Sequence, residues 1–323
     1  MTGKKRISII SPCFNEQENI AACHAAVSEL FAGPLAAYDY EHIFADNAST
    51  DASVAELRRV ALGDCHVKAI VNARNYGPFR STFNALGSAT GDAVLVMLPV
   101  DLQDPPELIP VFVRKWEEGA KIVYGQRMER AEGWLMRQVR KTYYRAVSCL
   151  AGIDIPTDTA EFQLLDRQVV EALLRFNDHY PYIRGMIANV GFRDRAVMVP
   201  YRWQGRARGV SKNKFFNLVD QGLNGIIAFT NVPMRISTAL GFFLAVGSIA
   251  YSVIQLGINL LVYDAAPPGI ATLIVALFFF SGVQLLFIGL LGEYVSSIHF
   301  QVRQGPIVVE QERINFDCEE NAP

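Results

Sequence analysis

The sequence has few cysteines, and their spacing suggests no pairs. No CxxC pattern occurs among the five cysteines, which are Cys13, Cys23, Cys65, Cys149 and Cys318. Disulfide frameworks and structural zinc sites both draw on closely spaced cysteine pairs, so the sequence predicts neither feature. The pattern is typical of a protein that stays in a reducing compartment.

Net charge is also nearly absent. The 323 residues carry a formal net charge of −2, so the protein as a whole does not attract nucleic acid, and any basic site must be local. We therefore expect no nucleic-acid partner. The N-terminal segment MTGKKRISII starts with positive charge, but its apolar stretch ends at Ser11-Pro12. We interpret this segment as the first strand of the fold and not as a signal peptide.

Two segments near the C-terminus lack charged residues altogether. The uncharged runs Ile236–Val262 and Gly269–Gly292 are each longer than the roughly 20 residues that cross a bilayer. Arg235 and Arg303 flank the pair, and the intervening turn contains no Lys or Arg. The positive-inside rule therefore predicts a membrane hairpin with both flanks in the cytoplasm. The alternative is a buried core hairpin of a soluble protein.

Short apolar strands alternate with amphipathic helices in the first 124 residues. The predicted strands are Ile7–Ile10, Tyr40–Ala45, Val67–Val71, Ala93–Leu98 and Ile122–Tyr124. The predicted helices are Asn19–Phe31, Ser53–Leu62, Phe79–Ala89 and Pro106–Glu118. This alternation indicates an α/β fold with a mostly parallel sheet flanked by helices.

The stretch GDAVLVMLPVDLQDPPE combines the fourth strand with a polar turn. Asp101 and Gln103 follow the strand, where ligands bind in open parallel sheets, and their oxygens suit Mg2+ or Mn2+ on a diphosphate. Asp104 and Glu107 fit a capping box on the next helix, with Pro105 at its first position. Taken alone, the stretch is explained better by an ordinary strand-to-helix turn with a solvated Asp101.

Several polar motifs follow the strands in a fixed order. They are Ile9 to Glu16, Asp46 to Asp51, Ala73 to Gly77, Leu102 to Glu107, Gly125-Gln126-Arg127 and Gly209 to Lys212. As an ordered set they resemble the family 2 glycosyltransferases of the polyprenyl-phosphate branch, from about Ile7 to the second apolar run. The resemblance implies a GT-A-like (Rossmann-like) catalytic domain over residues 1–214. Residues 215–235 mix Phe, Leu and Ile with Asn, Gln and Asp220, which favours an interfacial amphipathic helix, with a packed domain helix as the alternative. A two-helix transmembrane hairpin at 236–295 and a cytoplasmic tail at 296–323 would complete the chain.

The resemblance also implies roles for individual residues. Nucleotide-binding residues would be Pro12, Asn15, Glu16, Asp46, Arg74 and Asn75, although a cap on the first helix explains Asn15-Glu16 nearly as well. Metal ligands would be Asp101 and Gln103. Arg127 would face the diphosphate, and the acceptor phosphate would meet Arg137, Arg206, Arg208, Ser211 and Lys212.

Three positions depart from the family pattern. Pro99 stands where the first acid of an Asp-x-Asp motif is common, and Asn47 stands where a second Asp is usual. Glu161 brings a carboxylate to a position where relatives vary between Gly and an acid. We hypothesise that Glu161 is catalytic and replaces charge lost at Pro99, with a salt bridge to a nearby Arg as an equal alternative.

The activity implied by the resemblance is an inverting sugar transfer from a UDP- or GDP-sugar to a polyprenyl phosphate, with Mg2+ or Mn2+ as cofactor. The enzyme would lie at the cytoplasmic membrane as a homo-oligomer, such as a tetramer. A processive polysaccharide synthase would need more spans and a Gln-x-x-Arg-Trp motif, which Tyr201-Arg202-Trp203-Gln204 does not match. A membrane-anchored sugar-nucleotide binding protein without turnover is the alternative, motivated by Pro99.

Overall fold

The computed structural model describes residues 4–128, 159–176, 178, 181–202, 234, 237–244, 246–247, 250, 254, 270–302 and 305–317. The chain forms two compact units. The first comprises residues 1–144, 153–214 and 304–323, and the second comprises residues 145–152 and 215–303. The predicted acceptor-phosphate residues lie outside the described residues: Arg137, Arg206, Arg208, Ser211 and Lys212.

The first unit is built on one mixed sheet, which has eight strands within the described residues. They are β1 (Arg6–Cys13), β2 (Asp39–Asp46), β3 (Val67–Asn72), β4 (Ala93–Val96), β5 (Ile122–Arg127), β6 (Thr159–Asp166), β7 (Ala196–Tyr201) and β8 (Glu310–Ile314). Their order is β7-β5-β6-β4-β1-β2-β3-β8. Strands β4, β1, β2 and β3 are parallel neighbours, whereas β6 is antiparallel to β4 and β5, and β8 is antiparallel to β3.

Helices connect the strands of the first unit. They are α1 (Ile20–Ala32), α2 (Ser53–Gly63), α3 (Pro78–Leu86), α4 (Ile109–Glu117), α5 (Arg167–Leu174) and α6 (Ile183–Val190). Helix α1 buries Ile20, Cys23, Val27 and Phe31, which recur every three or four residues and so share one face. Strands β3 and β4 are buried throughout and β2 is buried after its first residue, as expected for a sheet covered on both faces. The five predicted strands and four predicted helices of this region are confirmed, with shifted ends.

Strands β6, β7 and β8 were not predicted. Strand β8 alternates half-buried and exposed residues in the polar sequence EQERI, which carries no apolar pattern to indicate a strand. It lies in the segment interpreted as a tail, yet it extends the sheet beside β3. Strand β7 ends at the buried Tyr201, the first residue of the Tyr201-Arg202-Trp203-Gln204 segment.

The predicted capping box at Asp104 is wrong. The turn after β4 enters a short 3-10 helix, Pro106–Leu108, whose N-cap is Pro105 and makes no side-chain capping bond. Helix α4 begins only at Ile109. The Asp104 side chain is instead drawn into an ion pair with Arg127. A buried charge needs a partner more strongly than a helix end needs a cap, so the tertiary contact prevails.

The second unit contains α7 (Ile270–Val302), which covers most of the second uncharged run. Large apolar side chains along it are exposed, including Leu273 at 70%, Leu277 at 62% and Leu285 at 68%. Among the helices of the described residues, none meets the combined length and hydropathy that a membrane span requires. The two-helix transmembrane hairpin stays a prediction.

Candidate active site

The predicted site residues converge on one edge of the sheet. The carboxyl ends of β4, β1, β2 and β3 lie side by side because these strands are parallel neighbours. Strand β6 runs the opposite way and pairs Gln163 with Val96, so Glu161 reaches the same edge from its amino end. Strands β5 and β7 pair Arg127 with Tyr201 there. The edge therefore receives polar side chains from seven strands.

Asn15 links the loops that follow β1 and β2. Its side-chain oxygen accepts a hydrogen bond from the backbone N–H of Thr50 at 2.7 Å, and its own N–H donates to Ser49 Oγ at 2.8 Å. Glu16 likewise donates its backbone N–H to Ser53 Oγ at 2.9 Å. The side chain of Asn15 does not cap α1, whose N-cap is Asn19. Asn15 and Glu16 thus brace the rim of the site.

Asp46 ends β2 and is fully buried. Its carboxylate accepts hydrogen bonds from the Ser49 N–H at 3.0 Å and from the Ser49 hydroxyl. The Cys13 thiol lies 3.7 Å from the same carboxylate, and burial, followed by the charge of Asp46, raises the pKa of that thiol well above its ordinary value. Cys13 therefore stays a neutral thiol in the core.

Asn47 organises the loop after β3. Its side-chain oxygen accepts hydrogen bonds from Asn72 Nδ2 at 3.2 Å and from the Tyr76 N–H at 3.1 Å. The Arg74 guanidinium lies 4.2 Å from the centre of the Tyr76 ring, which holds this exposed cation at the rim. Asn75 accepts the Gly77 N–H at 2.9 Å and closes a local turn. The departure at Asn47 is thus a structural residue of the site.

The turn after β4 positions Asp101 and Gln103. Asp101 Oδ1 accepts the backbone N–H of Gln103 at 3.3 Å, and Leu102 between them has a positive φ of 54°. Met97 in the same loop has a φ of 59°. Non-glycine residues with positive φ are uncommon, and strained backbone of this kind concentrates at functional sites.

Arg127 is held by Asp104 and Tyr201. Its Nη2 atom lies 2.9 Å from both carboxylate oxygens of Asp104, and its Nε atom lies 3.1 Å from the Tyr201 hydroxyl. That hydroxyl in turn donates to Asp104. Burial lowers the pKa of Arg127, but the Asp104 carboxylate more than offsets this, so the net pKa is raised. Burial and then Asp104 raise the pKa of Tyr201, which keeps its proton.

Close packing explains why the Gly125-Gln126-Arg127 motif has a glycine at position 125. A Cβ atom at this position would lie 2.8 Å from the backbone oxygen of Phe162 and 3.0 Å from Cε1 of Tyr201. No side chain fits there without moving β6 or the Tyr201 ring. The glycine therefore lets Tyr201 approach β5 closely enough to meet Arg127.

Glu161 forms the salt bridge that was the alternative to a catalytic role. Its Oε1 atom accepts a hydrogen bond from Arg184 Nη2 at 2.6 Å, and both side chains are largely buried, at 19% and 10% exposure. Arg184 belongs to α6 and carried no sequence signature that linked it to the site. The pair fixes the Glu161 carboxylate at the carboxyl edge of the sheet.

The donor atoms at this edge fit a hard divalent cation. Asp101 offers a carboxylate and Gln103 a carboxamide oxygen, and Mg2+ or Mn2+ prefers such oxygen ligands. Within the residues that the structure describes, no third His, Cys, Asp or Glu converges with them as a ligand set. Mg2+ commonly binds through one or two protein oxygens plus substrate phosphates and water, so this small set suits a metal shared with a nucleotide.

Sequence reasoning missed the partners that hold these residues in place. They are Asn47, Ser49, Thr50, Asp104, Arg184 and Tyr201. Each acts through a contact that is remote in sequence or that a local pattern explained differently. The ordered motifs that follow β1 to β5 nevertheless lie together at one edge of the sheet.

Comparison with known proteins identifies the family. The family model described as glycosyl transferase family 2 matches residues 8–174, which include every motif from Ile9 to Arg127. The chain belongs to glycosyl transferase family 2. Sequence relatives extend this family likeness along nearly the whole chain.

Two relatives illustrate that extent. An uncharacterised glycosyltransferase of Bacillus subtilis is 32% identical, with 96% of this chain and 94% of the relative covered. The SfII prophage-derived bactoprenol glucosyl transferase of Shigella flexneri is 33% identical, with 93% and 96% covered. The sequence-based assignment to the glycosyltransferase family is therefore confirmed.

A solved structure supports the fold. The glucosyl-3-phosphoglycerate synthase of Mycobacterium tuberculosis, in complex with Mn2+, UDP-glucose and phosphoglyceric acid, superposes with a TM-score of 0.52 at 20% identity. The match covers 69% of this chain and 78% of the synthase. The glycosyltransferase domain of this chain therefore has a GT-A-like mixed sheet with flanking helices.

Proposed function

We propose that this glycosyltransferase moves a sugar from a UDP- or GDP-sugar to a polyprenyl phosphate such as undecaprenyl phosphate, with inversion at the anomeric carbon. The observation that carries the proposal is the breadth of the likeness to the bactoprenol glucosyl transferase, which covers 93% of this chain. That likeness includes the uncharged C-terminal runs as well as the catalytic domain. It therefore favours a lipid-linked acceptor over a soluble one.

The donor is proposed to bind across the carboxyl edge of the sheet. Pro12, Asn15, Glu16, Asp46, Arg74 and Asn75 would line the nucleotide side. Asp46 and Asn15 are already braced by Ser49 and Thr50, so the pocket is set before the nucleotide arrives. Arg127 is proposed to face the diphosphate, with Asp104 and Tyr201 fixing its guanidinium plane.

Asp101 and Gln103 would hold Mg2+ or Mn2+. When bound, the cation offsets the negative charge of the diphosphate. The acceptor phosphate is an anion at neutral pH, so it needs aim and charge compensation more than a strong base. Arg137, Arg206, Arg208, Ser211 and Lys212 are proposed to supply that contact. Glu161, held by Arg184, is proposed to replace the charge lost at Pro99.

We further propose a location at the cytoplasmic face of the membrane. The two uncharged runs would form the hairpin, residues 215–235 would lie in the interface, and both termini would be cytoplasmic. The uncharged sequence and the exposed apolar side chains of α7 support this arrangement. A homo-oligomer, such as a tetramer, would pack its membrane helices between subunits.

The deciding experiment uses the full chain in detergent with undecaprenyl phosphate, Mg2+ or Mn2+, and a panel of UDP- and GDP-sugars. We expect lipid-dependent release of nucleoside diphosphate from one donor, and loss of this release in Asp101→Ala. Release of nucleoside diphosphate that is the same with and without the lipid would contradict a polyprenyl phosphate acceptor. Donor binding without turnover on any lipid phosphate would instead support the binding-only alternative that Pro99 motivates.

A further inference from the structure

The opposite edge of the sheet carries a cluster of metal-ligating side chains that the proposed transfer does not use. Asp64, Cys65 and His66 form the loop between α2 and β3, so they lie at the amino end of β3. One donor atom from each lies within 4.8 Å of the other two. Cys65 Sγ is 3.9 Å from His66 Nδ1, which is 2.6 Å from Asp64 Oδ1.

Helix α1 adds a fourth donor to this loop. His24 Nε2 lies 3.4 Å from Asp64 Oδ2. In a tetrahedral zinc site, the edges between ligand atoms are about 3.4 Å for nitrogen to oxygen and about 3.6 Å for nitrogen to sulfur. The separations of His24 from Asp64 and of Cys65 from His66 are close to these values. Closing the set around an ion needs His24 to move closer to Cys65 and His66, and it needs the short contact between His66 and Asp64 to lengthen.

We propose that His24, Asp64, Cys65 and His66 form a binding site for a borderline divalent transition metal ion, with Zn2+ as the occupant. Two imidazoles, one thiolate and one carboxylate are ligands that zinc commonly takes. Mg2+ and Ca2+ prefer oxygen alone, so this site selects a different class of ion from Asp101 and Gln103. Binding releases the proton of the Cys65 thiol to the solvent.

Contacts outside the four donors hold the loop in a fixed shape. The Tyr40 hydroxyl donates to Asp64 Oδ2 at 3.0 Å, and its ring stacks on the His66 ring at 4.5 Å. Asn315, just after β8, donates to the backbone oxygens of Asp64 and Val67 at 3.2 and 2.8 Å. A loop braced in this way loses little conformational freedom when an ion binds.

Two features suit the further requirements of a metal site. His66 Nε2 lies 3.8 Å from Asp39 Oδ1, which is too long for a direct hydrogen bond, but a small approach of Asp39 would let it accept the proton of that nitrogen while Nδ1 ligates. A cavity of about 690 Å³ lies beside the cluster and is lined by Asp39, Asp64 and His66 among others. Cys65 is exposed. An ion can therefore reach Asp64, Cys65 and His66 from solvent.

Sequence reasoning gave no hint of this site because it searched for paired cysteines. Here a single cysteine is joined by a histidine next to it and by a second histidine some forty residues earlier. Only the packing of α1 against the loop before β3 brings the four together. The prediction that the cysteines offer no zinc site is thus challenged by this proposal.

Co2+ substitution gives a direct test, since a thiolate ligand produces a sulfur-to-cobalt charge-transfer band in the near ultraviolet. The full chain in detergent is titrated with Co2+ and then with Zn2+. We expect one equivalent of Co2+ to give the band and Zn2+ to remove it. Cys65→Ser should abolish the band, and His24→Gln should weaken Co2+ binding at least tenfold.

Two control variants separate this site from other thiols and from the proposed catalytic metal. Cys318→Ser and Asp101→Ala should both keep the full band and the same Zn2+ stoichiometry. Circular dichroism of Cys65→Ser should match the parent, because Cys65 is exposed and its substitution disturbs no core packing. A band that survives Cys65→Ser, or a parent chain that gives no band, would overturn the proposal. A failure of glycosyl transfer would contradict the proposed function but not this metal site.

Discussion

The ion pair between Asp104 and Arg127 allows stability and catalysis to be separated. The Asp104 side chain is 2% exposed and that of Arg127 is 21% exposed. Asp104→Asn removes the carboxylate and leaves the guanidinium largely buried without its counter-ion. Breaking a buried pair in this way costs about 3 to 5 kcal/mol. Since Arg127 keeps some contact with solvent, we expect about 3 kcal/mol, the lower end of that range.

The double variant Asp104→Asn with Arg127→Met should recover most of that loss. It leaves no unpaired charge, and the Met side chain fills similar apolar volume. Tyr201→Phe removes one hydroxyl donor to the carboxylate and should cost about 1.5 kcal/mol. Urea unfolding of the full chain in one detergent gives all three values, because the midpoint shifts at constant slope when stability alone changes.

Turnover should follow a different order. If Arg127 stabilises the departing diphosphate, the single variant Arg127→Met and the double variant should each lose about 10²- to 10³-fold in kcat, whatever their stability. Asp104→Asn keeps the cation and should lose far less. A double variant that regains stability and also regains activity would refute the role of Arg127 at the diphosphate. A double variant no more stable than Asp104→Asn would refute the unpaired-charge argument.

Three further predictions concern acid stability, Glu161 and metal binding. Burial, followed by His24, lowers the pKa of His42 to about 3, so the unfolded chain binds a proton there from about pH 6.5 downward while the folded chain does not. The contribution of His42 to stability is therefore complete above that pH. Lowering the pH from about 7.5 to 5 should reduce the free energy of unfolding in urea by about 2 kcal/mol through His42 alone, and His42→Gln should remove this pH dependence. An unchanged pH dependence in the variant would contradict the argument. Glu161→Gln should lower kcat at least tenfold and alter the metal dependence, whereas Arg184→Gln keeps the carboxylate and should lower kcat less. Equal losses of kcat in the two variants, with unchanged metal dependence, would mean that Glu161 serves only the salt bridge. Mn2+ binding measured by electron paramagnetic resonance should be weak for the chain alone and should tighten at least tenfold with UDP or GDP, since Asp101 and Gln103 supply few ligands; tight binding without nucleotide that Asp101→Ala leaves intact would argue against this site.

The central part of the fold could be predicted because its strands are buried on both faces. Strand β4 is a continuous apolar run, and β2 is buried at every position after Asp39. Turn residues mark the ends of both strands, so the hydrophobic pattern and the turn signals predict the same segments. Strand β8 could not be predicted, because EQERI gains its place through pairing with β3 and not through its own hydrophobicity. A strand can be predicted from its own sequence only when its residues are apolar enough to favour burial without a particular partner strand.

The same distinction applies to the candidate site. Asp101 and Gln103 are adjacent in sequence and follow one strand, so a local pattern was sufficient to select them. Asp104 belongs to the same stretch, yet its role is decided by Arg127 and Tyr201, 23 and 97 residues away. Its local pattern fits a capping box, and that interpretation failed.

The two edges of the sheet differ in what they can bind, and the difference follows from how each edge is made. At the carboxyl edge, parallel strands deliver oxygen donors and cations from several loops, which suits a diphosphate and a hard metal. At the amino edge, the loop before β3 meets the side of α1 and gathers a thiol and two imidazoles around Asp64. Both sets of side chains lie in the first unit. The two proposed sites therefore select different metals, because one offers only oxygen donors and the other offers sulfur and nitrogen. The Co2+ band should respond to Cys65→Ser, and the nucleotide-dependent Mn2+ signal should respond to Asp101→Ala.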